Sequence, residues 1–170
     1  MLAVILFIAV CVGILRFFCF LYPNDYKAEV DKYSRKYGVS AELVYAVIRA
    51  ESKFDKDAVS DKGAKGLMQI IDATADWVSG KIELSEFDLF DPETNIEIGT
   101  FYLSYLLDLY KGNKECAIAA YNAGPAKVDE WLSDKKYSKD GKTLDEIPFP
   151  ETEKYVKKVM ENIEKYGFLY

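Results

Sequence analysis

From Asn24 onward the apolar residues recur at intervals of three and four and never in a sustained period of two, so the chain has to build its core from helices. Tyr26, Val30, Tyr33 and Tyr37 form the first stripe, and Gly38 suits the left-handed residue that ends it. Ser40 then reads as the N-cap of a second helix from Ala41, with Val39 and Val44 placed as a hydrophobic staple. The stretch "SDKGAKGLMQI", residues 60–70, has two glycines and mixed polarity, which predicts a loop or short extended segment wrapping close to something. A third helix is expected over 73–79. Asp91 and Pro92 supply the cap and first-turn proline of a long helix reaching about Tyr110, closed by Gly112. Cys116 to Tyr121 make a short apolar helix ending in "NAG", and Pro125 opens another that runs to Trp131. The polar stretch 133–146, with Asp140-Gly141 as a turn, is a loop, and a last helix covers 151–166. The expected class is all-α.

Half of the 170 residues are apolar and 15% are aromatic, enough for one well-filled core and short for two. A net charge of −6, with no basic run interleaved with aromatics, excludes nucleic acid as a partner. There is no histidine, so Ser-His-Asp and Cys-His nucleophiles, His-ligated metals and imidazole acid–base chemistry are all excluded. Any catalysis must come from carboxylates, tyrosines, lysines or hydroxyls. Cys11, Cys19 and Cys116 show no paired spacing, so neither a zinc site nor a disulfide framework is indicated, and no metal or cofactor is expected.

Residues 1–22 are apolar except for Arg16, long enough to span a bilayer if Arg16 snorkels, with Phe17, Phe18, Phe20 and Tyr22 as an aromatic belt. No small-x-small site follows the run, which favours an uncleaved anchor over a signal peptide. The expected division is therefore an anchor over 1–22 and one domain over 23–170. Arg16, Lys27, Lys32, Arg35 and Lys36 follow the span and no Lys or Arg precedes it, so charge counting alone places that domain inside the cell.

Within the second helix Leu43, Val44 and Val47 share one stripe, and Glu51 joins it four residues after Val47. Glu42 and Arg49 read as ordinary solvated charges. A carboxyl on an apolar face loses solvation, which raises its pKa and favours the neutral form that a general acid needs. A buried ion pair, or a helix end turning outward to water, would also account for Glu51.

The segments "AVIRAES", "GAKGLMQI", "DPETNIEIG", "AAYNAG" and "FPETEKYV" occur in that order. Together they resemble the soluble lytic transglycosylase family, a branch of the lysozyme superfamily related to goose-type lysozymes, over about residues 33–167. The resemblance implies a lysozyme-like fold and peptidoglycan as substrate, cut at the β-1,4 bond from N-acetylmuramic acid to N-acetylglucosamine. It makes Glu51 the single catalytic acid and base, with the substrate's N-acetyl group replacing the second carboxylate of most glycosidases. By the same resemblance Ser60 lies near the sugar N-acetyl group, Met68 and Gln69 line the cleft, Tyr121 orients the acid and contacts the sugar, Asn122 beside it is a substrate-binding residue, and Tyr155 lies near the acid. Read without it, Ser60 is a turn serine, Met68 core filler, Tyr121 and Asn122 a helix C-terminal turn and Tyr155 a core aromatic. Asn95 and Gly99 match structural positions, and Gly99 inside a helix, at about 1 kcal/mol against Ala, signals close packing.

Two residues depart from the family pattern: Asp61 and Asp72 stand where proline is usual. Asp61 bears on the stiffness of the Ser60 loop, while Asp72 can serve as a first-turn helix residue. The expectation is a membrane-anchored transglycosylase on the cell-wall side, with either function overriding the charge bias or the chain starting upstream of Met1. A goose-type muramidase and a non-catalytic peptidoglycan-binding module are the competing expectations.

Overall fold

The computed structural model describes residues 1–170, the side chains of Leu2, Ile14 and Leu15 excepted. Eight helices follow one another: α1 (Leu2–Leu21), α2 (Lys27–Tyr37), α3 (Ala41–Glu51), α4 (Asp72–Ile82), α5 (Pro92–Leu109), α6 (Lys114–Ala123), α7 (Pro125–Ser133) and α8 (Pro150–Leu169). Among the described residues the extended pairings are two isolated bridges, Val59 to Lys65 and Lys65 to Ile70.

Helix ends fall where local chemistry sets them. The Ser40 hydroxyl accepts from the Leu43 N–H, Asp91 from the Thr94 N–H at 2.9 Å, and Asn113 from the Cys116 N–H at 3.2 Å. Gly38 closes α2 at φ +67°, as its place after the stripe predicts. Four helices run beyond their expected spans, among them α7, which continues past Trp131 to Ser133. α4 reaches Ile82 through Gly80 and stops on Glu83 in the left-handed region; α8 passes through Gly167; α6 begins two residues earlier and ends two later than the apolar run.

α3 is the centre of the domain. Leu43 to Ile48 are all buried, so this helix is enclosed on every side rather than along one stripe. α8 lies along it: Asn162 donates to the Ala46 carbonyl, and the Tyr166 and Tyr45 rings stack 5.2 Å apart. α5 is the second buried element, presenting Ile96, Ile98, Leu103 and Leu106, and α6 buries Cys116 to Ala120. Cys116 is a buried free thiol whose pKa is pushed up to about 11 by burial, consistent with an inert core residue.

Residues 58–70 fold back on themselves against α5. Gly66 sits at φ +74°, and a Cβ there would collide with the Leu89 carbonyl and the Asn95 amide. Asn95, fully buried, accepts from the Met68 N–H at 2.8 Å and donates to the carbonyls of Leu89 at 2.8 Å and Lys65 at 3.0 Å. Its amide thereby satisfies the Met68 N–H and the Leu89 carbonyl, and adds a second bond to the Lys65 carbonyl, which also accepts from the Ile70 N–H. Gly99 leaves the space that the Met68 side chain fills.

Two sequence expectations are corrected. Tyr22 is 8% exposed and belongs to the core, whereas Phe17, Phe18 and Phe20 remain exposed on α1. Arg49 is not a free solvated charge: its guanidinium lies 4.1 Å from the centre of the Tyr22 ring.

Candidate active site

Glu51 is the last residue of α3, where the helix leaves the core and meets a cleft of about 610 Å³. The cleft is walled by Ser60, Asp61 and Gln69 from the folded-back loop, by Thr74 and Tyr102 from α4 and α5, and by Tyr121 and Asn122 from α6. Glu151, at the start of α8, stands at its edge.

Burial pushes the Glu51 carboxyl up to about 7, against two weaker influences that favour ionisation. One is the Tyr155 hydroxyl, which donates to Glu51 Oε1 at 2.6 Å; the other is the charge of Lys158. The C-terminus of α3, with its partial negative charge, acts in the same direction as burial. Lys158 does not pair with Glu51, because its ammonium donates to the Ala50 carbonyl at 2.7 Å. Among the described residues Glu51 Oε2 has no protein hydrogen-bond partner, which leaves it available to a ligand. Asp61 and Glu151 line the same cleft, yet neither contributes to the Glu51 shift.

The tyrosines beside the acid remain protonated. Burial, reinforced by the Glu51 charge, pushes both Tyr121 and Tyr155 well above the usual phenol range. Tyr121 donates to the Met68 carbonyl at 2.8 Å, linking α6 to the folded-back loop. Asn122 accepts from the Thr152 hydroxyl at 2.7 Å, linking α6 to α8. Thr152, Tyr155 and Lys158 recur every three residues along one face of α8, and each touches the site or its immediate support.

The structure brings Glu51, Ser60, Gln69, Tyr121 and Asn122 to one cleft and sets Tyr155 directly behind Glu51. Met68 is the exception. Its side chain is fully buried against Gly99, so the cleft lining expected of it is corrected: its backbone carbonyl, rather than its thioether, serves the site through Tyr121. Gln69 stands at φ +49° and donates from Nε2 to the carbonyls of Ala58 and Gly66, leaving its own carbonyl oxygen without a protein partner. Ser60 closes its own turn, accepting from the Ala64 N–H on Oγ at 3.0 Å while its backbone N–H donates to the Ala64 carbonyl. That turn is intact with Asp61 in the proline position. Asp72 begins α4 and pairs with Lys65 at 2.7 Å.

Residues 29–144 match the Transglycosylase SLT domain family. The chain belongs to the transglycosylase SLT family. It is 37% identical over 144 residues to the soluble lytic murein transglycosylase of Salmonella typhimurium, covering 82% of this chain and 22% of that one. It is 40% identical over 117 residues to the membrane-bound lytic murein transglycosylase C of Serratia proteamaculans, covering 62% of this chain and 33% of the relative. Among solved structures, an inactive Glu-to-Gln mutant of the lytic transglycosylase Slt from Pseudomonas aeruginosa superposes with a TM-score of 0.77 at 34% identity, over 86% of this chain and 24% of that one. The 70 kDa soluble lytic transglycosylase of Escherichia coli gives 0.78 at 32% identity over 86% of this chain and 25% of its own. A 70-kDa soluble lytic transglycosylase in complex with bulgecin A gives 0.78 as well. The fold of this SLT chain is therefore the helical, lysozyme-like fold of these neighbours, and the chain spans about a fifth to a quarter of their length.

Tyr102 and Thr74 in the cleft wall, Glu151 at its edge and Lys158 beside Glu51 escaped the sequence reading. Tyr102, whose ring centre lies 5.6 Å from that of Tyr121, belongs to none of the recognised segments. Lys158 was legible in principle, since it follows Tyr155 by three residues on a helix.

Proposed function

We propose that this SLT chain is a peptidoglycan lytic transglycosylase in which Glu51 is the single catalytic acid and base. The observation that carries the reading is the Glu51 carboxyl, which has no bonded ammonium and is poised near neutrality at the wall of a cleft with one oxygen open. A group with a pKa near the working pH both gives and takes a proton efficiently.

Neutral Glu51 protonates the glycosidic oxygen as the bond to the muramic anomeric carbon breaks, releasing the N-acetylglucosamine 4-hydroxyl. The muramic N-acetyl oxygen closes on that carbon as an oxazolinium, which explains how one carboxylate suffices where most glycosidases use two. Ionised Glu51 then accepts the proton of the muramic C6 hydroxyl, whose oxygen attacks the same carbon and reopens the ring. The product is a 1,6-anhydro sugar, no water is consumed, and Glu51 ends protonated as it began. Tyr155 holds the carboxyl in place through Oε1, while Ser60, Gln69, Tyr121 and Asn122 offer polar groups to the sugars.

The test is mass spectrometry of muropeptides released from purified peptidoglycan by the full chain. Fragments ending in 1,6-anhydromuramic acid support the transglycosylase; reducing ends assign the site to a muramidase, and no release by folded protein assigns it to a binding module.

The proposed location is a membrane anchored by α1, with the domain on the cell-wall side. It rests on the 19-residue apolar span Ala3–Leu21 and on the existence of a membrane-bound relative. The chain should then stay in the membrane fraction and be cut by protease added outside protoplasts. Release of a protein beginning near Tyr22 would reject the anchor.

A further inference from the structure

No free linker separates α1 from the folded domain. Three consecutive carbonyls at the junction are each held by a tyrosine hydroxyl. Tyr170 donates to Tyr22 O at 2.8 Å, Tyr166 to Pro23 O at 2.9 Å and Tyr45 to Asn24 O at 3.4 Å. The Tyr22 ring meets the Tyr166 ring edge-on at 5.8 Å and carries Arg49 at 4.1 Å and Lys165 at 5.4 Å on its faces. The last turn of α8 thus stands beside the last turn of α1, with Tyr170 also against the Cys19 thiol inside the apolar span.

Exposed aromatic rings stand both on α1 and at the end of α8 that is bonded to it. Phe17 and Phe20 are 59% and 80% exposed on α1, Phe168 is 84% exposed in the last turn of α8, and Tyr170, the residue that caps α8, is 54% exposed. Nothing in the mechanism uses these rings. Large aromatic side chains flanking an apolar span favour the headgroup layer, where an apolar ring and a hydroxyl are both accommodated.

We propose that the last turn of α8 is a second membrane contact, placing Phe168 and Tyr170 in the headgroup layer of the bilayer that α1 spans, so that anchor and domain sit on the membrane as one body. The proposal rests on the anchor reading given above. Its occupant is that bilayer, argued from continuity: the surface adjoins the apolar helix and is bonded to its end. The consequence is that the cleft is held at a fixed height, since Arg49, which stacks on Tyr22, lies two residues before Glu51.

Hydroxyl-radical footprinting of the full chain, read by mass spectrometry, tests this in lipid nanodiscs holding one copy each. Phe7 reports whether α1 is in lipid. Phe149, 45% exposed at the other end of α8 and about 28 Å along the helix, reports aqueous exposure. The expected result is oxidation of Phe168 several-fold below that of Phe149, with Phe7 equally protected. Oxidation of Phe168 matching Phe149 while Phe7 stays protected would overturn the contact and leave the anchor intact. Oxidation of Phe7 would overturn the anchor reading and the contact with it. Protection of Phe168 only in discs holding two copies would assign the surface to a second chain and overturn the proposal. In a Tyr166→Phe, Tyr170→Phe chain, Phe168 should become oxidisable while Phe7 remains protected; unchanged protection of Phe168 would overturn the tyrosine clamp.

Discussion

Glu51 and Glu97 are both helical glutamates that accept a hydrogen bond from a tyrosine, at 2.6 Å from Tyr155 and 2.9 Å from Tyr37. Their pKa values move in opposite directions. Burial raises both carboxyls, but at Glu97 the Lys36 ammonium donates at 2.7 Å and, with Tyr37, brings the pKa below the usual carboxylate value. At Glu51 the Lys158 ammonium spends its bond on the Ala50 carbonyl instead, and the carboxyl is much more deeply buried than that of Glu97, so burial prevails and the pKa rises to about 7. A tyrosine donor alone does not keep a desolvated carboxylate ionised; a bonded ammonium does. The α2–α5 face is thus held by charge, with Lys32, Tyr33 and Glu93 repeating the arrangement one turn away, while the end of α3 keeps an acid that can change state.

The largest expected effect separates these roles. Glu51→Gln should lower muropeptide release by at least about 10²-fold, since the amide can neither give nor take the proton, while peptidoglycan still co-sediments with the protein. Glu97→Gln should leave release unchanged. Assays of both variants on purified peptidoglycan decide it, and comparable losses in the two would dissolve the contrast.

Stability against pH gives the next effect, with opposite signs at the two sites. Below pH 4.5 both folded and unfolded Glu51 hold their proton, so the residue costs nothing there; as pH rises from 4.5 through about 7 the unfolded chain ionises first and the fold is penalised. Glu51→Gln should therefore match the parent in acid and exceed it above neutrality by up to about 3 kcal/mol. The lowered pKa of Glu97 adds stability above the unfolded carboxylate value, and that stability is lost as pH falls through the folded one. Glu97→Gln should cost about 1 kcal/mol at neutral pH and little in acid. Urea unfolding at pH 4, 6 and 8 reads both.

Removing the tyrosine hydroxyls sharpens the comparison further. Tyr155→Phe takes away a bond that favours ionised Glu51, so the pH–activity profile should move to higher pH by about one unit or less, whereas Tyr37→Phe should leave it in place. Lys158→Gln should move it the same way by a few tenths of a unit, because that charge acts on Glu51 without a bond.

The Glu51 half of this contrast was legible in the sequence, and the Glu97 half was not read. The three-and-four spacing gave the helices, Ser40 and Gly38 gave ends, and the stripe through Leu43, Val44 and Val47 set Glu51 apart from Glu42. Features set by distant partners were not legible. Where the Lys158 ammonium bonds depends on a carbonyl 108 residues earlier, and only a packed structure shows that it serves Ala50 rather than Glu51. The family resemblance put Met68 in the cleft, whereas its reading as core filler is the one the gap over Gly99 bears out, since it takes the side chain inward. Tyr22 read as part of an apolar run because its partners, Tyr166, Tyr170 and Arg49, lie far along the chain. Helix lengths erred where local signals misled: Gly80 and Gly167 did not interrupt their helices, and α4 stops at Glu83 without a glycine.

The central claim is that Glu51, lacking a bonded ammonium, is an acid poised near neutrality, and carboxyl ¹³C NMR titration of the full chain in nanodiscs measures it directly. The expected result is a Glu51 carboxyl titrating near pH 7 while Glu97 titrates below the usual carboxylate value. A Glu51 carboxyl titrating at or below the ordinary value of 4.5 would contradict the account.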